Sequence, residues 1–305
     1  MKKVVFSLLS IFLLICGCND TNKNNKELKI IAPSGAPSIA FYKYINDDNF
    51  ITNSLPSNIQ ASMVNGEYDV AILDVVGGIN IINKGASYLL TSVITFGNFY
   101  LLSLGNDENE TIDEEDIIVS FGQNTTPDLI YKSLFPDISI DYYVNGVSEA
   151  SAVAISGLID NKTVNYVFIA QPVMQKVLQT NENTFIYADI KELFEEKYQT
   201  DGIPQAGVFI KKSLIESNKE DITNFLSSLK DDIDNVTINP DLLLDLDNSK
   251  FSEKIGIPTE LANQVLKNNN GINLGFKDAS SYLDDLNIYF EILGLNEIKE
   301  DVIMK

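Results

Sequence analysis

Short apolar runs bounded by Gly, Pro and Asn alternate along this chain with runs of helical spacing, the grammar of an α/β protein. Glu27–Ala32 reads as a strand, 33–38 as a turn, and Ile39–Asn46 as a helix capped by Ser38. Asn58–Asn65 is a short helix that Gly66 stops. Tyr68–Leu73, Tyr88–Ile94 and Phe99–Leu104 are strands, with a helix over Val76–Asn83. The acidic stretch 107–116 reads as a solvated loop.

A second series follows. Ile117–Phe121 is a strand, 122–126 a polar loop, and Pro127–Leu134 a helix with Pro in its first turn. Ile140–Val144 and Tyr166–Ile169 are strands, and Ser148–Leu158 and Pro172–Leu178 are helices. Phe185–Ala188 and Ile190–Tyr198 close the series. The two series echo each other. Asn65-Gly66-Glu67-Tyr68-Asp69 leads into VAILDVV; Ser156-Gly157-Leu158-Ile159-Asp160, after a short insertion, leads into NYVFIAQPV. Each is a helix stop, a polar turn, a buried strand and a helix start, the pattern of two α/β lobes of one architecture.

The pattern changes after Gly202. Ala206–Ile210 is a strand, Asn218 caps a helix through Ile233, and helices follow over Pro258–Lys267 and Asp278–Leu293. The chain is therefore expected to return to its first lobe, crossing near residues 100–105 and 202–207. Lobe one is then 27–103 together with 206–305, and lobe two 104–205.

The N-terminus reads as an address. Met1, Lys2 and Lys3 precede an apolar run from Val4 to Ile15, too short for the roughly 20 residues of a membrane span. Ile15-Cys16-Gly17-Cys18 resembles a bacterial lipobox, which implies cleavage of residues 1–17 and a lipid on Cys18. Residues 19–26, after the lipidated Cys18, would be a flexible tether of about 25–30 Å at full stretch, holding the protein at the outer face of a membrane. Cys16 leaves with the signal, so the mature chain has one Cys and no disulfide.

Composition narrows the chemistry. The 305 residues carry 43 acids and 22 bases, a net charge of −21; every base is Lys, and His and Trp are absent. Without His there is no Ser–His–Asp or Cys–His machinery and no HExxH zinc site. Without Arg there is no bidentate fork for a carboxylate or phosphate. The acidic excess excludes nucleic acid as a partner. There is no Walker A motif, no GxGxxG and no metal cluster. Asp245-Leu-Asp247-Asn-Ser249 starts like an EF-hand loop, but Lys250 stands where Gly is required and Gly256 where the Glu ligand belongs. No cofactor is expected.

The ordered motifs Pro33-Ser34-Gly35-Ala36-Pro37, Asn65–Ile72, Asn83-Lys84-Gly85, Phe168-Ile169-Ala170-Gln171-Pro172 and Ala206–Glu220 carry a resemblance. The chain resembles solute-binding proteins of ABC importers with the type II periplasmic-binding fold, in the branch of nitrate, sulfonate, taurine and thiamine-pyrimidine binders. It departs at Gln171-Pro172, where that family often has Glu-Pro. The resemblance implies two lobes, each a mixed open sheet flanked by helices, with a ligand cleft between them. It implies a monomer partnered by permease and ATPase subunits and a small solute, and not an enzyme. An enzyme of the same fold is the alternative, but the thiamine-pyrimidine synthase type needs a His and a Cys cluster that this chain lacks. A surface lipoprotein with an interaction role is a third reading.

Strand carboxyl ends and helix N-termini point into such a cleft and favour polar groups there. Ser34, Gly35, Ala36 and Ser38 fit a site in lobe one, and Asn124, Thr125 and Thr126 one in lobe two. Asp74 would accept hydrogen bonds or balance a cationic ligand. Tyr42, Phe96 and Tyr100 would pack on a planar ring. Gln171 and Gln205 would bond a ligand from the lobe-two and hinge sides. Ser38, Asp74 and Thr126 also serve as helix caps on this reading, and the aromatics as core. A heteroaromatic solute is the first expectation and a small anion the second.

Overall fold

Strands buried on both faces, such as Val70–Asp74 and Tyr166–Ala170, demand helices on either side of their sheet. The structure, a computed structural model, describes residues 28–105, 111–268 and 271–305. The signal, Cys18 and the tether lie outside the described residues.

Along the chain run β1 (Ile30–Pro33), α1 (Ala36–Ile39), β2 (Phe50–Asn53), α2 (Pro56–Asn65), β3 (Val70–Asp74), α3 (Val75–Asn83) and β4 (Tyr88–Thr95). Next come β5 (Phe99–Leu104), β6 (Ile118–Phe121), α4 (Thr126–Leu134), β7 (Tyr142–Val144), α5 (Val147–Ser156), β8 (Leu158–Ile159), β9 (Lys162–Thr163) and β10 (Tyr166–Ala170). Then follow α6 (Val173–Thr180), β11 (Thr184–Asp189), α7 (Ile190–Tyr198), β12 (Ala206–Lys211), α8 (Lys212–Ser217) and α9 (Lys219–Ile238). The chain closes with α10 (Asn248–Ile255), α11 (Thr259–Lys267), β13 (Leu274–Asp278) and α12 (Leu283–Ile292).

The strands form two open mixed sheets. The first has the order β2-β1-β3-β12-β4-β13, the second β7-β6-β10-β5-β11. In each, three strands are parallel and the fourth runs antiparallel to both its neighbours. The echo seen in the sequence is thus a repeat of topology. Gly66 and Gly157 both end helices in the left-handed conformation. The insertion after Gly157 is the small hairpin β8–β9.

Alternating side chains divide between two cores in the first sheet. Ile30, Ala32, Val70, Ile72, Val208 and Ile210 face α1, α9, α10 and α11. Ile31, Ala71, Leu73, Leu90 and Phe209 face α2, α3 and α12. This second core continues into the other lobe through Tyr131, Phe168 and Phe194. Gly78 lets α3 approach β12, since a Cβ there would overlap the Phe209 ring.

Several expectations need correction. Strand β5 belongs to the second sheet, so the chain changes sheet between Thr95 and Phe99 and not at 100–105. The expected boundary at 103/104 therefore cuts a strand of the second sheet. The return falls between Tyr198 and Ala206. Helix α1 starts at Ala36, and a separate 3-10 turn covers Tyr42–Tyr44, in place of one helix over 39–46. Ser38 is no cap: its buried hydroxyl donates to the Pro33 carbonyl at 2.6 Å. Asn218 makes no side-chain cap to α9. The EF-hand-like stretch is the start of α10, capped by Asp247, whose Oδ1 accepts from the Ser249 and Lys250 N–H groups. Among the described residues no helix is long and apolar enough to cross a membrane.

The two crossings lie side by side. Ile203 N–H donates to the Phe96 carbonyl at 3.1 Å and Gln205 N–H to the Thr95 carbonyl at 3.0 Å. A third segment joins them, with Phe96 N–H donating to Asn273 O at 3.0 Å and the Asn273 side-chain amide donating to the Gly97 carbonyl. Gly97 (φ 103°) and Gly202 (φ 82°) sit where these segments touch. A Cβ on Gly202 would stand 2.9 Å from the Phe96 carbonyl oxygen. Gly157 has a similar φ of 66° but open space around it. Gly202→Ala is therefore expected to destabilise the fold by about 1–3 kcal/mol, more than Gly157→Ala, which bears the backbone strain alone. Urea unfolding of the two variants checks the order.

Candidate functional site

The carboxyl ends of the parallel strands in the two sheets meet at Asp74 and Thr126. Asp74 is the last residue of β3 and the N-cap of α3. Its Oδ1 accepts the Gly77 N–H at 2.7 Å. The same oxygen accepts the Thr126 hydroxyl, also at 2.7 Å. Thr126 opens α4, in the loop that leaves β6 of the second sheet. This bond therefore crosses from one sheet to the other.

A Cβ on Gly77 would collide with Asp74 Oδ2 and push the carboxylate from this place. The Tyr289 hydroxyl, from α12, is the third polar group. Tyr289 is 1 % exposed and its hydroxyl has no hydrogen-bond partner among the described residues. Burial pushes that phenol well up, and the nearby Asp74 charge adds to the effect. Burial likewise raises the Asp74 carboxyl above its ordinary value, and the bonds from Thr126 and Gly77 offset only part of that. Among the described residues no lysine forms an ion pair with Asp74.

The other expected residues fall into three settings. Gln205 and Gln171 clamp the crossing through Asn98. Gln205 Oε1 accepts the Asn98 N–H at 3.2 Å, and the Asn98 side-chain amide donates to the Gln171 carbonyl at 2.8 Å. Gln171 N–H donates back to the Asn98 carbonyl at 2.8 Å. The Gln171 side-chain oxygen accepts the Gln175 N–H at 3.3 Å. Phe96 also lies in the crossing, edge-on to Tyr282 at 5.9 Å and with Lys277 Nζ 5.1 Å from its ring centre. Tyr100 reaches across to donate to the Gly271 carbonyl at 3.3 Å.

At the strand ends, Ser34 and Gly35 are half-buried in the loop after β1, and Ala36 is buried as α1 begins. Asn124 (φ 58°) and Thr125 are exposed in the loop before α4. The Thr125 hydroxyl donates to Gly122 O at 2.5 Å, so it is turned onto its own loop. Ser38 and Tyr42 are buried inside the first lobe, Tyr42 in the core against α9–α11, and neither belongs to the Asp74 group.

Asn98, Gly77 and Tyr289 were not expected from the sequence. Gly77-Gly78 directly after Asp74, and Gly97-Asn98 between two apolar runs, were the available signals. Nothing in the sequence marks Tyr289, which comes to Asp74 only through the docking of α12.

The N-terminus of α4 carries its own acid. Asp128, fully buried, accepts the Asn124 N–H at 2.7 Å, the Tyr143 hydroxyl at 2.6 Å and Lys132 Nζ at 2.8 Å. Burial opposes the charged form of Asp128, but these three bonds outweigh it and hold the carboxyl below its ordinary value. Among the described residues no group of His, Cys, Asp and Glu could hold a metal ion.

Asp74→Asn is expected to raise the melting temperature near pH 7. The amide keeps an oxygen for Thr126 and Gly77 and removes a buried charge that has no cation beside it. The sign follows from the raised carboxyl. Above it, the folded protein bears the burial penalty; as pH falls through it toward the ordinary 3.8, the wild type takes up a proton and the penalty disappears. The gain from Asp74→Asn should therefore shrink over that acid window, as melting curves of both proteins against pH would show.

No protein-family model matches the sequence. No curated protein matches it either. Solved structures do. An ABC transporter protein from Parabacteroides distasonis superposes with a TM-score of 0.71 at 19% identity, covering 91% of this chain and 98% of its own. The ligand-binding component of an ABC-type import system from Staphylococcus aureus, solved with zinc bound, gives 0.66 at 11% identity, covering 91% and 96%. The periplasmic aliphatic sulphonate-binding protein SsuA from Escherichia coli gives 0.65 at 14% identity, covering 91% and 92%. The two sheets of matching strand order, the paired crossings and these superpositions together establish that the chain has the two-lobed type II periplasmic-binding-protein fold.

Proposed function

We propose that the protein is the extracytoplasmic solute-binding subunit of an ABC importer. One observation carries this reading above the others: the strand ends of two topologically equivalent sheets meet at a hydrogen bond between Asp74 and Thr126, beside crossings that join the sheets. Such an arrangement lets a small polar or heteroaromatic solute be captured between lobes that rotate about the crossings. Its binding would be passed to a permease and ATPase as a change of surface. Of the residues expected at the site, Asp74 and Thr126 would contact the solute directly. Ser34, Gly35, Asn124 and Thr125 would line the mouth, while Gln171, Gln205, Phe96 and Tyr100 would act at the hinge. The division of the chain into lobe one and lobe two is proposed with the crossings at 96–98 and 199–205. Catalysis is not part of this reading, since the site holds one carboxylate and no His or Cys. The protein acts as a monomer.

A screen of small metabolites is expected to yield a solute that raises the melting temperature saturably and lowers the radius of gyration in small-angle scattering. Silence of the whole screen would remove the reading. The lipid anchor is proposed from Cys18. Cys18→Ser is expected to abolish palmitate labelling and release the protein from the membrane fraction; unchanged labelling would sink it.

A further inference from the structure

Two helix N-termini of this cleft are taken by the chain's own acids. Asp74 accepts from the first turn of α3 and Asp128 from the loop that opens α4. A helix N-terminus serves an anion through its unpaired N–H groups and positive dipole end. A carboxylate already seated there uses up that capacity. Arg is absent from the chain, and among the described residues Asp74 has no lysine partner.

What remains is acceptor capacity. Gly77 and Thr126 both donate to Oδ1 of Asp74, so Oδ2 takes neither of these bonds. The residue keeps partial exposure. The Tyr289 hydroxyl, which feels the Asp74 charge, is buried and has no partner among the described residues, and it can donate or accept one bond. Lys132 already neutralises Asp128, which is closed off by three donors. Asp74 alone is left as a buried acid with an open oxygen and a displaceable neutral donor.

We propose, on the solute-binding reading above, that the cleft takes a small ligand bearing a protonated amine or amidine nitrogen. That nitrogen displaces the Thr126 hydroxyl from Asp74 and pairs with its carboxylate, with Tyr289 as the second hydrogen-bonding group. Anionic solutes such as sulfonates are excluded, because the same carboxylate repels them and no cation replaces it.

Benzamidine and benzenesulfonate share a ring and a size and differ in the sign of their charge. Calorimetric titration of the full chain is expected to show saturable binding of benzamidine and none of benzenesulfonate. Asp74→Asn should weaken benzamidine at least about tenfold while remaining folded by its melting curve. Thr126→Val, which removes the hydroxyl that competes for Asp74, should tighten benzamidine binding. Binding of benzenesulfonate but not benzamidine overturns the charge assignment and leaves the solute-binding reading standing. Benzamidine binding that ignores Asp74→Asn overturns the site. Silence of both probes overturns the ligand class, while the metabolite screen, which assumes no charge, judges the solute-binding reading separately.

Discussion

Each sheet takes its antiparallel strand from a segment that has just crossed from the other. Strand β5 enters the second sheet directly after β4 leaves the first, and β12 returns the exchange. The crossings are hydrogen-bonded to each other, Ile203 to Phe96 and Gln205 to Thr95. Neither sheet is complete without the chain that joins it to its partner. This reciprocal exchange fixes where the strand ends face each other, and so it fixes the place of Asp74 opposite Thr126. It also explains Gly202, where a Cβ would run into the Phe96 carbonyl of the other crossing.

The electrostatics of the site follow from that placement. A carboxylate at the end of β3 caps α3 and faces the second sheet, where its direct partner is a neutral hydroxyl. Burial then acts on a charge with only dipoles to oppose it, and the carboxyl is pushed up. Asp128, at the start of α4, is also buried but has Lys132 and Tyr143 beside it, and it moves the other way. Lys132 and Tyr143 supply to Asp128 what Asp74 lacks, a cation and a further donor.

Much of this was legible in the sequence. Apolar runs between Gly and Asn stops gave strands such as Phe99–Leu104 with the bounds they have in the structure, and helices such as Val76–Asn83, which starts one residue earlier. The repeated helix-stop and buried-strand pattern corresponded to a repeat of topology. The sheet to which β5 belongs was not legible, because a strand buried on both faces reads the same in either sheet. Strands β2 and β13 were missed because each is short and buries little: only Phe50 in β2 and only Leu274 in β13 are fully covered. Ser38 has the sequence of a cap, but Pro37 just ahead of it lies inside the first turn of α1, so the helix starts earlier and the hydroxyl turns back to Pro33. Asp74 and Thr126 were each recognisable as polar residues at a strand end. Their bond was not, since it depends on the closure of two units far apart in the chain.

The two sheets are alike in topology and unlike in chemistry at their equivalent ends. The third parallel strand ends on a carboxylate, Asp74, in the first sheet and is followed by a neutral amide, Gln171, in the second. The charge of the site therefore belongs to one lobe, and the other meets it with a hydroxyl. That asymmetry decides which contacts can be exchanged. Removing a neutral hydroxyl from a buried acceptor costs about 1–3 kcal/mol and leaves no charge stranded on the lobe that gave it up. Separating an ion pair would leave two buried charges, at about 3–5 kcal/mol when one is left uncompensated. A cleft closed by Asp74 and Thr126 is thus closed by a bond that a better donor can replace, and the acid that remains behind is the group such a donor must satisfy.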